Sequence, residues 1–81
     1  MAYAICMAES HGNPEAYNID PDGTVDRGLM EINSVHSNLV NGNVLSLYNP
    51  QVNIEIAYEI YLTSGWRAWS SYDTGQYLRF L

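Results

Sequence analysis

The apolar residues of the chain recur in patterns that predict two helices and a hairpin. Residues 2–8 are uncharged and lack Gly and Pro, and their Ala and Met content favours a helix. Gly12 and Pro14 stop such a helix, which leaves Glu9 in its last turn. There the helix dipole disfavours negative charge, and the apolar flank desolvates the side chain. We therefore expect the Glu9 carboxyl to keep its proton near neutral pH.

The second helix has the clearest boundaries in the sequence. Asn49 suits the N-cap, Pro50 suits the first helical position, and Gly65 suits the stop. One face carries residues at helical spacing, namely Asn53, Ile56, Ala57, Ile60 and Tyr61. We expect this helix to form the floor on which the first helix packs.

Between the two helices, a turn signal at residues 21–24 separates segments 16–19 and 25–29, which suit the strands of a short hairpin. Gly28 would let its strand pass close to a neighbouring group or to a ligand. Asp26 lies in this hairpin among amide and hydroxyl groups, so we expect it to remain ionised.

The remaining segments carry weaker patterns. Residues 34–48 predict one or two short helical turns, residues 70–75 a loop, and residues 76–81 a final helical turn. No internal repeat or low-complexity linker divides the chain. The sequence therefore predicts an α+β fold, mostly α, with helices around a short β-hairpin, in a single domain over 1–81.

Composition limits what such a domain can contain. The chain has 81 residues, of which 47% are hydrophobic, so it supports one domain with a small core. The single Cys6 cannot form an internal disulfide and suits a buried, inert position. His11 and His36 have no partner at ligand spacing. We expect no metal, no cofactor and a monomer.

Charge and hydropathy restrict the partners. The formal net charge of −6 argues against nucleic acid and against anionic membrane surfaces. No apolar run reaches transmembrane length, and the apolar start is too short and lacks the basic region of a signal peptide. We expect a protein exported by another route, or one excised as a module from a larger secreted protein. The short first helix would suit a parent helix that begins upstream.

The candidate chemistry depends on the contrast between Glu9 and Asp26. The first carboxyl is expected to stay neutral and the second to stay charged. Glycoside hydrolysis needs such a pair, because a neutral acid protonates the leaving oxygen while a charged one stabilises or attacks the sugar cation.

Residues 9–34 also resemble the active-site segment of the c-type lysozymes without a gap. The shared positions are Glu9, Ser10, Asn13, Ala16, Asn18, Asp22, Gly23, Asp26, Gly28, Ile32, Asn33 and Ser34. The segment is similar as well to the lytic transglycosylases, whose motifs include E-S-x-x-N-P and G-L-M-Q-I-N. Residues 65–69 match the tryptophan segment of the lysozymes, and the ending W-S-x-Y-x-x-G-x-Y is similar to transglycosylase-like modules of phage tail proteins.

The resemblance implies cleavage of the β-1,4 bond between N-acetylmuramic acid and N-acetylglucosamine in the peptidoglycan of the bacterial cell wall. Since no signal peptide is visible, it also implies a protein associated with a phage or a module of a larger virion protein. It implies that Glu9 is the general acid and Asp26 the nucleophile or electrostatic partner. It further implies that Trp66 packs against Glu9 and shields it, and that the backbone preceding Trp66 binds an N-acetyl group. The substrate-binding residues expected on this basis are Asn18, Asp20, Glu31, Asn33, Gly65 and Trp66.

Two acids depart from the family pattern. Glu31 stands where both families usually carry Gln, and Asp20 stands where lysozymes carry an Asn that hydrogen-bonds the ionised Asp. Added carboxylates near Asp26 raise pKa values through like-charge repulsion and make the site titrate as a group. We expect an acid-shifted or weakened activity.

Three alternatives stay open. A lytic transglycosylase would let the muramyl 6-hydroxyl attack and leave 1,6-anhydro ends, which residues 28–30 and the C-terminal ending favour. A wall-binding domain would keep the fold without turnover. Residues 18–26 also resemble a calcium loop, but the final bidentate acid, due three residues after Asp26, falls on Leu29, and the flanks predict strands.

Overall fold

A computed structural model describes residues 1–81. Its three α-helices are α1 (Ala2–Ser10), α2 (Pro50–Ser64) and α3 (Ser70–Thr74). Its three strands are β1 (Tyr17–Ile19), β2 (Val25–Arg27) and β3 (Ile32–Asn33). Four 3₁₀ segments cover Ser34–Val40, Val44–Tyr48, Gly65–Ala68 and Gln76–Phe80. The predicted class, α+β and mostly α, is confirmed, and so are the short helical turns between residues 34 and 48.

The sheet places three polar side chains next to one another. Strands β1 and β2 form the predicted antiparallel hairpin, in which Asn18 lies opposite Asp26. Strand β3, which the sequence did not predict, pairs with the other edge of β2 and sets Asn33 opposite Asp26. Because directly opposed residues share a face of an antiparallel sheet, Asp26 lies between two amides.

The end of α1 is fixed by local geometry and by a tie to the sheet. His11 adopts the left-handed conformation, with φ of 56°, and its N–H donates to the Met7 carbonyl. The buried hydroxyl of Ser10 donates to the Leu29 carbonyl at 2.7 Å, which joins the helix end to the loop that precedes β3. The prediction that Glu9 lies in the last turn of the first helix is confirmed.

The core lies between α1, α2 and the sheet. Its members are Ile5, Met30, Ile32, Leu47, Ile56, Ala57, Ile60 and Trp69. The predicted face of α2 supplies three of them together with Asn53, whereas Tyr61 stays 36% exposed at the edge. The predicted packing of α1 on α2 needs correction: α1 packs mainly against residues 76–80 and α3. An apolar groove lies between α1 and α2, with Met30 and Trp69 in its wall.

One buried amide joins α2 to the loops around the sheet. Asn53 is completely buried, accepts a hydrogen bond from Met30 N at 2.8 Å, and donates to the carbonyls of Arg27 and Leu47 at 2.9 and 3.0 Å. Gly28 has φ of +83°, and a Cβ there would clash with the Asn53 side chain and the Leu47 carbonyl. The close neighbour predicted for Gly28 is therefore this amide.

The segment after Trp69 was predicted as a loop, and this is wrong. Residues Ser70–Thr74 form the one-turn helix α3, which Gly75 ends in the left-handed conformation. The helix is held by packing rather than by its own sequence pattern, since it contacts α1 and the 3₁₀ segments on either side of it. The N-terminus of α3 consequently faces the end of α1.

Candidate active site

A cleft of about 300 Å³ lies between the end of α1, the sheet and the start of α3. Four carboxyl side chains line it: Glu9, Asp20, Asp26 and Glu31. Asn33, His36 and Trp69 are also part of its wall, and no Lys or Arg is. The two acids that the sequence selected, Glu9 and Asp26, thus open into the same space from different elements.

Glu9 is held at one of its two oxygens. The backbone N–H of Ser71, in the first turn of α3, donates to Glu9 Oε2 at 3.0 Å. Ser71 itself is 1% exposed, so this donor is fixed in the interior. Because Oε2 serves as an acceptor, a proton on Glu9 would be carried by Oε1. The chain thereby selects which oxygen of Glu9 can act as the donor. That Glu9 carries the proton in the free protein stays a prediction.

Asp26 is anchored by the two amides that flank it in the sheet. Asn33 Nδ2 donates to Asp26 Oδ1 at 2.8 Å, and Asn18 Nδ2 donates to Asp26 Oδ2 at 3.1 Å. Both amides also donate to Asp20, at 3.1 and 3.0 Å respectively. The side chains of Asn18 and Asn33, expected to bind substrate, thus orient Asp26, and that of Asp20, also expected to bind substrate, accepts from both amides. Their sugar contacts stay a prediction.

The surroundings of Asp26 affect its pKa in opposite directions. Burial raises the pKa of Asp26 above its ordinary value, hydrogen bonds from Asn33 and Asn18 oppose the rise, and the nearby Asp20 adds to it. The polar environment expected from the sequence is present, but burial and the second acid outweigh it. The upward effect predicted for Asp20 is confirmed in direction.

Glu31 is the most strongly perturbed acid of the cleft. Burial first, and then the charges of Asp26, Glu9 and Asp20, raise the pKa of Glu31 from 4.5 to about 7. Its Oε2 atom is buried and has no hydrogen-bond partner. Its backbone is left-handed, with φ of 48°, an uncommon conformation for a residue with a side chain. The like-charge coupling predicted for Glu31 is confirmed, whereas its burial was not foreseen.

The tryptophan prediction is corrected from the first Trp of the motif to the second, three residues later. Trp69, not Trp66, lines the cleft with Glu9; it is 4% exposed, and its Nε1 donates to the Met30 carbonyl at 2.6 Å. Trp66 lies on the far side of Trp69 and contacts Tyr61, with ring centroids 4.4 Å apart. Trp66 therefore cannot shield Glu9 as expected. Gly65 ends α2 and does not line the cleft either.

Trp66 belongs instead to an apolar groove between α1 and α2. The groove is lined only by hydrophobic side chains, including Tyr3, Cys6, Tyr58, Tyr61 and Trp66. It shares the buried Trp69 with the acidic cleft. The indole of Trp69 therefore separates a polar space from an apolar one.

Two residues of the site escaped the sequence argument. His36 lies in the 3₁₀ segment Ser34–Val40, whose weak pattern gave no indication of the face it presents. Ser71 contributes a backbone atom, and only knowledge of α3 could have identified it.

The tight turn at Asp20–Thr24 is closed by Gly23 N donating to the Asp20 carbonyl at 2.9 Å. Strands rather than helices flank this turn, which is not the helix–loop–helix arrangement of an EF-hand.

The fold and the site together define a class: a small, mostly α protein with a short sheet and an acidic cleft at the end of its first helix. Comparison with known families agrees. The model of the family described as Lysozyme like domain matches residues 1–71, and the chain belongs to that family. Searches of curated proteins and of solved structures gave no match. At the level of the family, membership supports a glycosidase or transglycosylase type of enzyme related to peptidoglycan. No helix is both long and apolar enough to cross a membrane.

Proposed function

We propose that the protein is a muramidase that cleaves the β-1,4 bond between N-acetylmuramic acid and N-acetylglucosamine in peptidoglycan. The observation that carries this proposal is that Glu9 and Asp26 line one cleft in a member of the lysozyme-like family. Glu9 approaches the cleft from a helix end and Asp26 from a strand, so a sugar lying in the cleft has a carboxyl from each element.

In the proposed reaction, Glu9 donates its proton to the glycosidic oxygen. Ser71 N occupies Glu9 Oε2, so the donated proton leaves from Oε1. Asp26, oriented by Asn18 and Asn33, stabilises the sugar cation or forms an adduct with it until water arrives. The buried Trp69 forms an apolar part of the wall, which excludes water from one side of the cleft.

A lytic transglycosylase is the second candidate, because residues 28–30 match its G-L-M motif. In that reaction the muramyl 6-hydroxyl replaces water, and one Glu suffices. The hydrogen bonds to Asp26 favour the muramidase. Two amides hold this carboxylate in the cleft, and an enzyme that uses a single acid would not need it there.

The products of peptidoglycan digestion distinguish the candidates. We expect incubation of purified peptidoglycan with the protein to release soluble fragments that end in reducing N-acetylmuramic acid. A transglycosylase would give ends lighter by one water, which mass spectrometry separates from reducing ends. Ends in reducing N-acetylglucosamine would contradict both candidates. Intact peptidoglycan that nevertheless retains the protein would indicate a wall-binding domain.

A further inference from the structure

Glu31 is the one acid in the protein that combines three features. It lines the cleft beside the proposed catalytic pair, its Oε2 is buried without a partner, and its backbone holds the left-handed conformation. An unpartnered buried oxygen and a rare backbone conformation each cost free energy, and such costs concentrate at functional sites. The fold thus holds Glu31 in a buried position and a backbone conformation that a glutamate does not favour.

The titratable groups that face Glu31 come from several elements. Glu9 faces it from α1, Asp26 from β2, Asp20 from the turn before β2, and His36 from the 3₁₀ segment after β3. No Lys or Arg lines the cleft, so no permanent cation neutralises these acids. Repulsion among carboxylates in a partly buried space makes the loss of each further proton harder. The charges of Asp26, Glu9 and Asp20 therefore oppose the loss of a proton from Glu31.

Trp66, which was expected to shield Glu9, lies in the apolar groove, so Trp69 is the indole that forms part of the cleft wall. A glycosidase of this type still needs one proton in the cleft at its working pH. Negative charge close to the acids helps to retain that proton, in addition to the apolar wall that Trp69 provides.

We infer that Glu31 sets the working pH of the proposed enzyme: with Glu9 and Asp26 it forms a three-carboxyl group that keeps a proton in the cleft at neutral pH. Glu31 acts through its two neighbours and is a positioning residue. The inference rests on the proposed function for its kinetic test. It also reverses the acid shift expected from the sequence, because a negative neighbour retains protons to higher pH.

The test compares pH profiles of peptidoglycan cleavage for the wild type, Glu31→Gln, Glu31→Asp and Glu59→Gln. Gln keeps the size and hydrogen-bonding capacity of Glu31 but removes the titrating charge. For Glu31→Gln we expect the alkaline limb of the pH profile to move to lower pH by about one unit. Activity should fall roughly tenfold near pH 7 and change little near pH 5. Glu31→Asp, which restores the charge, should stay nearer the wild-type profile than Glu31→Gln does. Glu59→Gln changes the same charge on the exposed face of α2 and should leave the profile unchanged.

A second measurement does not depend on turnover. Carbon-detected NMR titration of the Asp26 carboxyl in wild type and Glu31→Gln reports the coupling directly. We expect the Asp26 midpoint to fall in the variant. If the Asp26 midpoint falls in the variant although the wild type cleaves no peptidoglycan, the coupling of the three carboxyls is supported and the proposed function is contradicted. An unchanged midpoint, or an unchanged alkaline limb in an active enzyme, overturns the inference.

Discussion

Glu9→Gln is expected to lower the rate of peptidoglycan cleavage at least about a hundredfold, since positioned general acids contribute factors of this size or more. The amide keeps the shape of Glu9 and can still accept the Ser71 N–H through its oxygen, but it has no proton to give to the glycosidic oxygen. Cleavage is measured as soluble muropeptides released from purified peptidoglycan. Binding of the protein to insoluble peptidoglycan should be retained.

The matched control for Glu9→Gln is Glu59→Gln, which makes the same chemical change on an exposed position of α2. It should leave both cleavage and binding unchanged. If Glu9→Gln kept more than about a tenth of the wild-type rate, Glu9 would not be the general acid. Equal binding by wild type and variant, with cleavage by neither, would indicate a wall-binding domain.

Asn53→Leu is expected to have the largest effect on stability. It replaces a completely buried amide with an apolar side chain of similar size, and it leaves Met30 N and the carbonyls of Arg27 and Leu47 without their partner. Each buried polar group left unpaired costs about 1–3 kcal/mol, so the three together cost roughly 3–9 kcal/mol. A domain of this size has a free energy of unfolding of only about 4–12 kcal/mol. Thermal or urea unfolding measures the loss.

Asn38→Leu is the control for this change. Asn38 is exposed, and its side chain makes no hydrogen bond, so its replacement should change the free energy of unfolding by about 0.5 kcal/mol or less. A similarly small effect of Asn53→Leu would show that the amide does not join α2 to the sheet loops as described.

Elements with a local signal could be predicted from the sequence. Asn49 caps α2 by accepting hydrogen bonds from Gln51 N and Val52 N, and Pro50 follows at the first position. The turn at 21–24 sets the register of the hairpin through contacts within a few residues. These features are determined by neighbours in the chain, so their residues suffice to identify them.

Elements held by distant contacts could not be predicted. Strand β3 has two residues, and only its pairing with β2 makes it a strand. Helix α3 is a single turn of polar residues whose order depends on packing. The sequence also placed Asn53 on the buried face of α2 without indicating its partners, which come from three other segments.

The site was predicted in part for the same reason. The spacing in the motif selected Glu9 and Asp26, and both line the cleft. The choice between Trp66 and Trp69 depends on which side of a wall each indole occupies, and the chain turns sharply between them in the 3₁₀ segment Gly65–Ala68. The burial of Glu31 depends on the left-handed turn before β3, which no residue type at that position signals.

The central claim is that glycan binds in the acidic cleft, and NMR titration tests it most directly. An isotope-labelled Glu9→Gln variant, titrated with a tetrasaccharide of alternating N-acetylglucosamine and N-acetylmuramic acid, should show shifts at the Asn33 side-chain amide, the Ser71 backbone amide and the Trp69 indole. Asn33 reaches the cleft from β3, and Trp69 and Ser71 reach it from the start of α3. Shifts confined to Tyr3 and Tyr58 of the apolar groove, with the cleft signals unmoved, would contradict the claim.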